Sequence, residues 1–150
     1  MEKSEINIKR ISSKSLVKIE EHLNFDPNTF SKHKDRLEMQ ISGTCDYFII
    51  YYKSIPVGHA FMKWTGIEKT IIPQKPEKCP DIEDLFVIPK LRSQGLGSLM
   101  IEYCIKLARE KGFKKIGLGV AIENVKAQKL YESFNFVDSG ILPYKEIWYG

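Results

Sequence analysis

Arg92-Ser93-Gln94-Gly95-Leu96-Gly97-Ser98 follows closely on the apolar run Asp84-Leu85-Phe86-Val87-Ile88-Pro89 and opens the amphipathic run Leu99-Met100-Ile101-Glu102-Tyr103-Cys104-Ile105-Lys106-Leu107. The order reads as strand, glycine-containing turn, helix. Such a turn aims several unpaired backbone N–H groups at one spot, with the positive end of a helix dipole behind them. That arrangement suits a phosphate or a pyrophosphate. Gly95 and Gly97 let the backbone approach the ligand with no Cβ in the way. An ordinary strand-to-helix turn would show the same glycines, so the ligand has to be decided elsewhere in the chain.

Working outward, Ile82–Ile88 reads as the strand before the turn, and the helix runs from about Gly97 to Lys111, with Gly112 as its stop. Leu99, Met100, Tyr103, Cys104 and Leu107 give it an apolar stripe. Lys115–Ile122 alternates Ile116, Leu118, Val120 and Ile122, which predicts a strand with one buried face. Asn124 is placed to cap a helix from Val125 to about Phe134, and Asn135 tolerates the left-handed conformation wanted after a helix end. Phe136–Asp138 and Glu146–Tyr149 read as the last two strands. Upstream, Tyr47–Tyr52 and Val57–Trp64 predict an antiparallel hairpin joined at Lys53-Ser54-Ile55-Pro56. Before it come a strand over Ile6–Ile11 and a helix from a cap at Ser12 or Ser13 to Leu23. A turn at Asp26-Pro27-Asn28 and a helix over Thr29–Met39, ended by Ser42-Gly43, complete that half. Thr65–Pro80, with Pro73, Pro76 and Pro80, is a long connector of the kind that often carries substrate contacts. The order β, α, α, β, β, β, α, β, α, β, β, with no repeat, predicts one mixed α/β domain over residues 1–150.

The composition limits the function classes. The 150 residues are 43% hydrophobic and 28% charged, as in a globular chain with a single core. A net charge of +4 with scattered lysines gives no nucleic-acid signature. Cys45, Cys79 and Cys104 are widely spaced, and His22, His33 and His59 lie apart, so neither a disulfide framework nor a metal site is indicated. The longest apolar run, Tyr47–Tyr52, is far short of the roughly 18 residues a membrane span needs. The expectation is a soluble cytoplasmic protein with no membrane or nucleic-acid partner, monomeric or homodimeric.

Two nucleotide readings fail on spacing. No Lys-Ser or Lys-Thr follows Gly97, as a triphosphate-binding loop requires. Met100 stands where a dinucleotide fingerprint needs its third glycine, and the turn comes after a hairpin rather than in an early βαβ unit.

Val87-Ile88-Pro89 followed by Arg92-x-x-Gly95-x-Gly97 resembles motif A of the GNAT superfamily of N-acetyltransferases. Asn124-x-x-Ala127-x-x-Leu130-Tyr131-x-x-x-Asn135-Phe136 resembles its motif B. Asn135 departs from the glycine usual there. The resemblance is close over Ile82–Phe136 and topological elsewhere. It implies a mostly antiparallel mixed sheet, splayed between its fourth and fifth strands, with helices on both faces. It further implies acetyl-CoA as co-substrate and no metal. Arg92, Ser93, Gln94, Gly95, Leu96, Gly97 and Ser98 would hold the pyrophosphate, and the backbone of Leu85, Phe86 and Val87 would pair with the pantetheine arm. Asn124 and Tyr131 would lie near the thioester.

The implied chemistry is N-acetylation of a primary amine. A Lys-like amine, with a pKa of about 10.4, needs a base. The leaving thiolate needs a proton. The resemblance gives the acid role to Tyr131, and to Glu83 the role of a base acting through water. Asp84 is a possible anchor for the acceptor's ammonium. Strand alternation sets Glu83 on one face with Leu85 and Val87, and Asp84 on the other. Helical spacing of Ala127, Tyr131 and Phe134 also allows Tyr131 a core role, and His59 reads as a structural strand histidine or as facing the acceptor. The acceptor expected is a small amine: a polyamine, an aminoglycoside-like amine or an amino-acid derivative. A protein acetyltransferase acting on Lys or an N-terminus, and a non-catalytic acyl-CoA-binding module, are the rival readings.

Overall fold

The computed structural model describes residues 2–24, 32–65, 79–120, 123–138 and 144–148, the last as backbone alone. The turn at Asp26-Pro27-Asn28, most of the connector Thr65–Pro80, and Ile122 and Tyr149 lie outside them. The elements are β1 (Ile6–Arg10), α1 (Leu16–Leu23), α2 (Lys32–Ile41), β2 (Cys45–Tyr52), β3 (Ile55–Lys63), β4 (Asp81–Val87), α3 (Leu96–Glu110), β5 (Lys115–Gly119), α4 (Val125–Ser133), β6 (Val137–Asp138) and β7 (Tyr144–Trp148). Single 3₁₀ turns occupy Lys3–Glu5 and Pro89–Leu91.

The described strands form one sheet in the order β1-β2-β3-β4-β5-β7-β6, antiparallel throughout except at β4–β5. That parallel pair is also the shortest contact of the sheet's middle. Only Asp81↔Gly117 and Ile82↔Leu118 are in register, and beyond Ile82 the two strands part. The expected splay between the fourth and fifth strands is therefore present.

Alternation along β2 distributes its side chains to both layers of helix. Tyr47 faces α2, where its hydroxyl lies 2.8 Å from His33 Nδ1. Phe48 faces α3 and meets the Tyr103 ring edge-on, 5.0 Å between centroids. Helices thus cover both faces. On α3 the buried stripe is Leu96, Met100, Ile101, Cys104 and Ala108. It is rotated from the one expected, so that Leu99, Tyr103 and Leu107 are only half-buried. Fully burying side chains such as Met100 and Ile101 stabilises the fold by about 1.5–3 kcal/mol each. No described helix is long and apolar enough to cross a membrane.

Some boundaries differ from the sequence reading. The β2–β3 turn is only Lys53-Ser54, both at positive φ (50° and 65°), as a tight two-residue hairpin demands, and β3 starts at Ile55. Neither Ser12 nor Ser13 caps α1. Ser12 and Ser15 bond to each other's backbone and hydroxyl, and the helix begins after Ser15. Asn135 does take the left-handed conformation, with φ 70°.

Strand β4 carries the feature that matters most for function. Phe61 pairs with Glu83 and His59 with Phe86, so Asp84 and Leu85 together stand opposite Ala60. This is a β-bulge, and Asp84 sits in it at φ 51°. The extra residue breaks the alternation expected for Glu83–Val87. Glu83 now shares its face with Phe86 rather than with Leu85 and Val87. The Asp84 carboxylate turns toward α2, so both carboxylates serve the same side. Across the bulge β3 comes very close: a Cβ at Gly58 would lie 2.5 Å from the Phe86 carbonyl oxygen.

Candidate active site

The splay opens a cleft of about 480 Å³ between β4, the glycine turn, the start of α3 and one face of α4. Leu85, Phe86 and Val87 form one wall. Arg92, Ser93, Gly95, Leu96, Gly97 and Ser98 form the floor, and Asn124 and Tyr131 form the far side. Of the residues expected to hold the coenzyme, only Gln94 stays off the cleft. It is exposed, and its Nε2 reaches back to the Lys90 carbonyl at 3.5 Å.

The turn has the conformation of an anion cradle. Ser93 (φ 65°) and Gly95 (φ 90°) are both left-handed, and Gly95 caps α3. Alternating hands of this kind converge successive amides on one point. No acidic residue lies in the first turn of α3 or of α4, so nothing competes with an incoming anion for the helix dipoles. Two cations flank the turn. Arg92 Nε donates to the Val87 carbonyl at 2.8 Å, with the guanidinium 5.3 Å from the Phe86 ring. Lys126 Nζ donates to Ser93 Oγ at 2.7 Å. Lys126 was not among the residues singled out in the sequence, because a lone lysine on a helix reads as a solvated face. Its contact with the turn, 33 positions away, is a product of the fold.

Gly97 separates a ligand effect from a folding effect. A Cβ there would meet only Leu130 Cδ2, at an ordinary 3.6 Å. Gly97→Ala should therefore leave the melting temperature equal or higher, since Ala in a helix is favoured over Gly by up to about 1 kcal/mol. It should weaken acetyl-CoA binding, because the added methyl enters the cleft. Calorimetric titration beside a thermal melt checks both halves.

Asn124 caps α4, its Oδ1 accepting from Ala127 N–H at 3.2 Å. Tyr131 is half-buried on the cleft side of α4, its ring 6.1 Å from that of Phe136. Burial pushes its phenol up from its ordinary value, so the group keeps its proton at neutral pH.

Glu83 and Asp84 lie outside this cleft, on the α2 side of β4. Glu83 Oε1 is 3.5 Å from Lys63 Nζ. Asp84 Oδ2 is paired with Lys32 and lies 2.9 Å from Arg36 Nη1. Burial alone would raise the Asp84 carboxyl, but the Lys32 hydrogen bond and the charges of Arg36 and Lys32 hold it below the usual range. His59 is 3% exposed. Its Nδ1 lies 3.0 Å from the Asp84 carbonyl oxygen, and its ring stacks on Phe86 at 5.2 Å. Burial drives this imidazole down to about 3, so it is neutral and pins the bulge as a hydrogen-bond donor.

Asp81, 2% exposed, is on the same face two residues before Glu83 and was not assigned a role from the sequence. Burial first, then the Glu83 charge and hydrogen bond, push its carboxyl up to about 9. In the unfolded chain it ionises near pH 4. Between those values the fold holds a proton that the unfolded chain has lost, so rising pH costs stability across that window. Asp81→Asn is expected to gain stability over the natural chain, more near pH 8 than near pH 5. Urea midpoints at the two pH values check the widening gap. Cys45, Cys79 and Cys104 are all buried, and burial raises the Cys104 thiol to about 12, leaving it inert. Among the described residues no cluster of His, Cys, Asp and Glu is arranged to hold a metal.

A sheet parted at its middle beside a glycine turn that opens a helix defines the fold of the acyl-CoA N-acyltransferases. Residues 14–136 match the sequence profile of the Acetyltransferase (GNAT) family, and the chain belongs to that family. It is 29% identical over 99 residues to an uncharacterised N-acetyltransferase of Methanocaldococcus jannaschii, a stretch covering 64% of this chain and 41% of that protein. The matches span less than half the length of the curated relatives. The fold resembles an N-acetyltransferase from Staphylococcus aureus Mu50, with TM-score 0.73 and 16% identity over 95% of this chain and 98% of that one. It also resembles a GNAT family acetyltransferase from Brucella melitensis in complex with acetyl-CoA, with TM-score 0.64 and 14% identity over 97% and 88% of the two chains.

Proposed function

We propose that this chain transfers the acetyl group of acetyl-CoA to the primary amine of a small molecule, by direct attack in one complex that holds both substrates. The observation that carries this is the cleft itself: β4, the glycine turn, Asn124 and Tyr131 line one continuous surface. An acyl-CoA-binding module would need the turn and the strand. It would not need a proton-bearing phenol at the far end.

Each residue then has a task. Amides of the Arg92–Ser98 turn, with Arg92 and Lys126, hold the pyrophosphate. The parted edge of β4 takes the pantetheine arm as an added strand. Asn124 keeps its Nδ2 for the ligand while its Oδ1 caps α4. The acceptor enters from the α2 side through the gap between β4 and β5. Glu83 takes the ammonium proton through water, and the free amine attacks the thioester carbonyl. Tyr131 supplies a proton to the departing sulfur.

Thermal melting tests the donor half. Ligand at about 100 times Kd contributes roughly 2.7 kcal/mol, a rise of about 5–10 °C for a domain of this size. A shift with ATP or NAD and none with acetyl-CoA would overturn the proposal. Thiol release over a panel of amines and peptides tests the acceptor half.

A further inference from the structure

Helix α2 sets two cations, Lys32 and Arg36, on the single carboxylate of Asp84. Arg36 is held rigidly, its guanidinium carbon 4.9 Å from the ring centroids of both Tyr47 and Phe61. Phe61 is the register partner of Glu83. Cross-strand partners keep their Cβ atoms about 4.5–5.5 Å apart. Arg36 and Glu83 therefore both adjoin Phe61, the guanidinium at its ring and the proposed base as its cross-strand partner. Arg36 Nη1, although within ion-pair distance of Asp84, makes no hydrogen bond, and neither does the buried Nε2 of His33 beside it. Lys32 keeps 31% of its side chain exposed and Arg36 only 14%, so a ligand reaches the pair from the Lys32 side.

This charge pattern selects among amines. Asp84 has its counter-charge already, with one positive charge to spare among the described residues around it. A second ammonium brought here meets Lys32 and Arg36 as like charges. A carboxylate brought here meets two donors, one of them a guanidinium suited to planar oxyanions. Glu83, across the strand pair from Phe61, remains for the amine.

We infer that the acceptor is an amino acid, or an amine of that kind, whose carboxylate docks on Lys32 and Arg36 while its amino group is presented to Glu83. On this account Asp84 orders the two cations and does not itself anchor an ammonium. The inference rests on the acetyl transfer proposed above.

The test is thiol release from acetyl-CoA by the full chain, with acceptors that differ only at the carboxylate. Lysine is compared with lysine amide and cadaverine, ornithine with ornithine amide and putrescine, and alanine with alaninamide and ethylamine. In at least one set the carboxylate member is expected to show kcat/KM roughly tenfold or more above its partners, the scale of one hydrogen bond to a charged group. Lys32→Gln should narrow that ratio, and Asp84→Asn, by freeing both cations, should widen it. Amides or diamines used as well as, or better than, the amino acids in every set would overturn the inference and leave acetyl transfer standing, as would a ratio that Lys32→Gln does not move. Thiol release with none of the acceptors would overturn both.

Discussion

Tyr131→Phe is expected to lower kcat by about a hundredfold or more, within the roughly 10²–10⁴-fold span of general acid catalysis, and to leave acetyl-CoA affinity within a small factor of the parent. The substitution removes one oxygen and keeps the ring, so the edge-to-face contact with Phe136 survives and α4 stays in place. What disappears is the proton that the proposed mechanism gives to the leaving thiolate. A phenol raised by burial is fully protonated at neutral pH, the state an acid must start from. Steady-state kinetics beside calorimetric titration of acetyl-CoA separate chemistry from binding. Unchanged kcat in the variant would return Tyr131 to the purely structural role that its helical spacing also allows.

Glu83→Gln should cut kcat/KM for the acceptor by a comparable roughly 10²–10⁴-fold near neutral pH, with a distinctive recovery as the pH rises. An amine with a pKa of about 10.4 is less than one part in a thousand free base at neutrality. With the carboxylate gone, the rate of the variant should climb tenfold per pH unit toward the amine's own pKa. The parent should level off earlier. The neighbourhood is polar enough to tolerate the change, since the amide oxygen can accept from Lys63 and the amide N–H can donate to an Asp81 oxygen. A pH–rate profile of the variant parallel to that of the parent would remove Glu83 from the base role.

Much of the coenzyme side could be read in the sequence because its determinants are local. Gly95 must be left-handed for α3 to start where it does, Asn124 must accept a bond for α4 to start, and Asn135 must turn left for it to stop. Each of these is settled within a few residues of chain. The acceptor side resisted because its determinants are long-range. Nothing near Asp84 announces a bulge, since an aspartate with φ 51° is held there by an imidazole from β3 and two cations from α2. Strand alternation therefore misplaced Asp84 relative to Glu83. Gly58 lies inside a strand with no local signal of its role, which the approach of the Phe86 carbonyl explains. Lys126 escaped notice, and Asp81 reads only as one of three carboxylates at a strand start, for the same reason: the partner of one and the burial of the other are supplied by distant parts of the chain.

The two-residue contact between β4 and β5 gives this protein an edge in the interior of its sheet. Most sheets expose ladder groups only at their outer strands, where charges, bulges or short lengths discourage other chains from pairing. Here the vacancy lies at the centre, flanked by the half-buried apolar side chains of Leu85, Phe86 and Val87. On the proposed function, an extended stranger would find there the seat that pantetheine takes. Coenzyme supply would then bear on self-association as well as on turnover. Preparations stripped of it should be the first to self-associate.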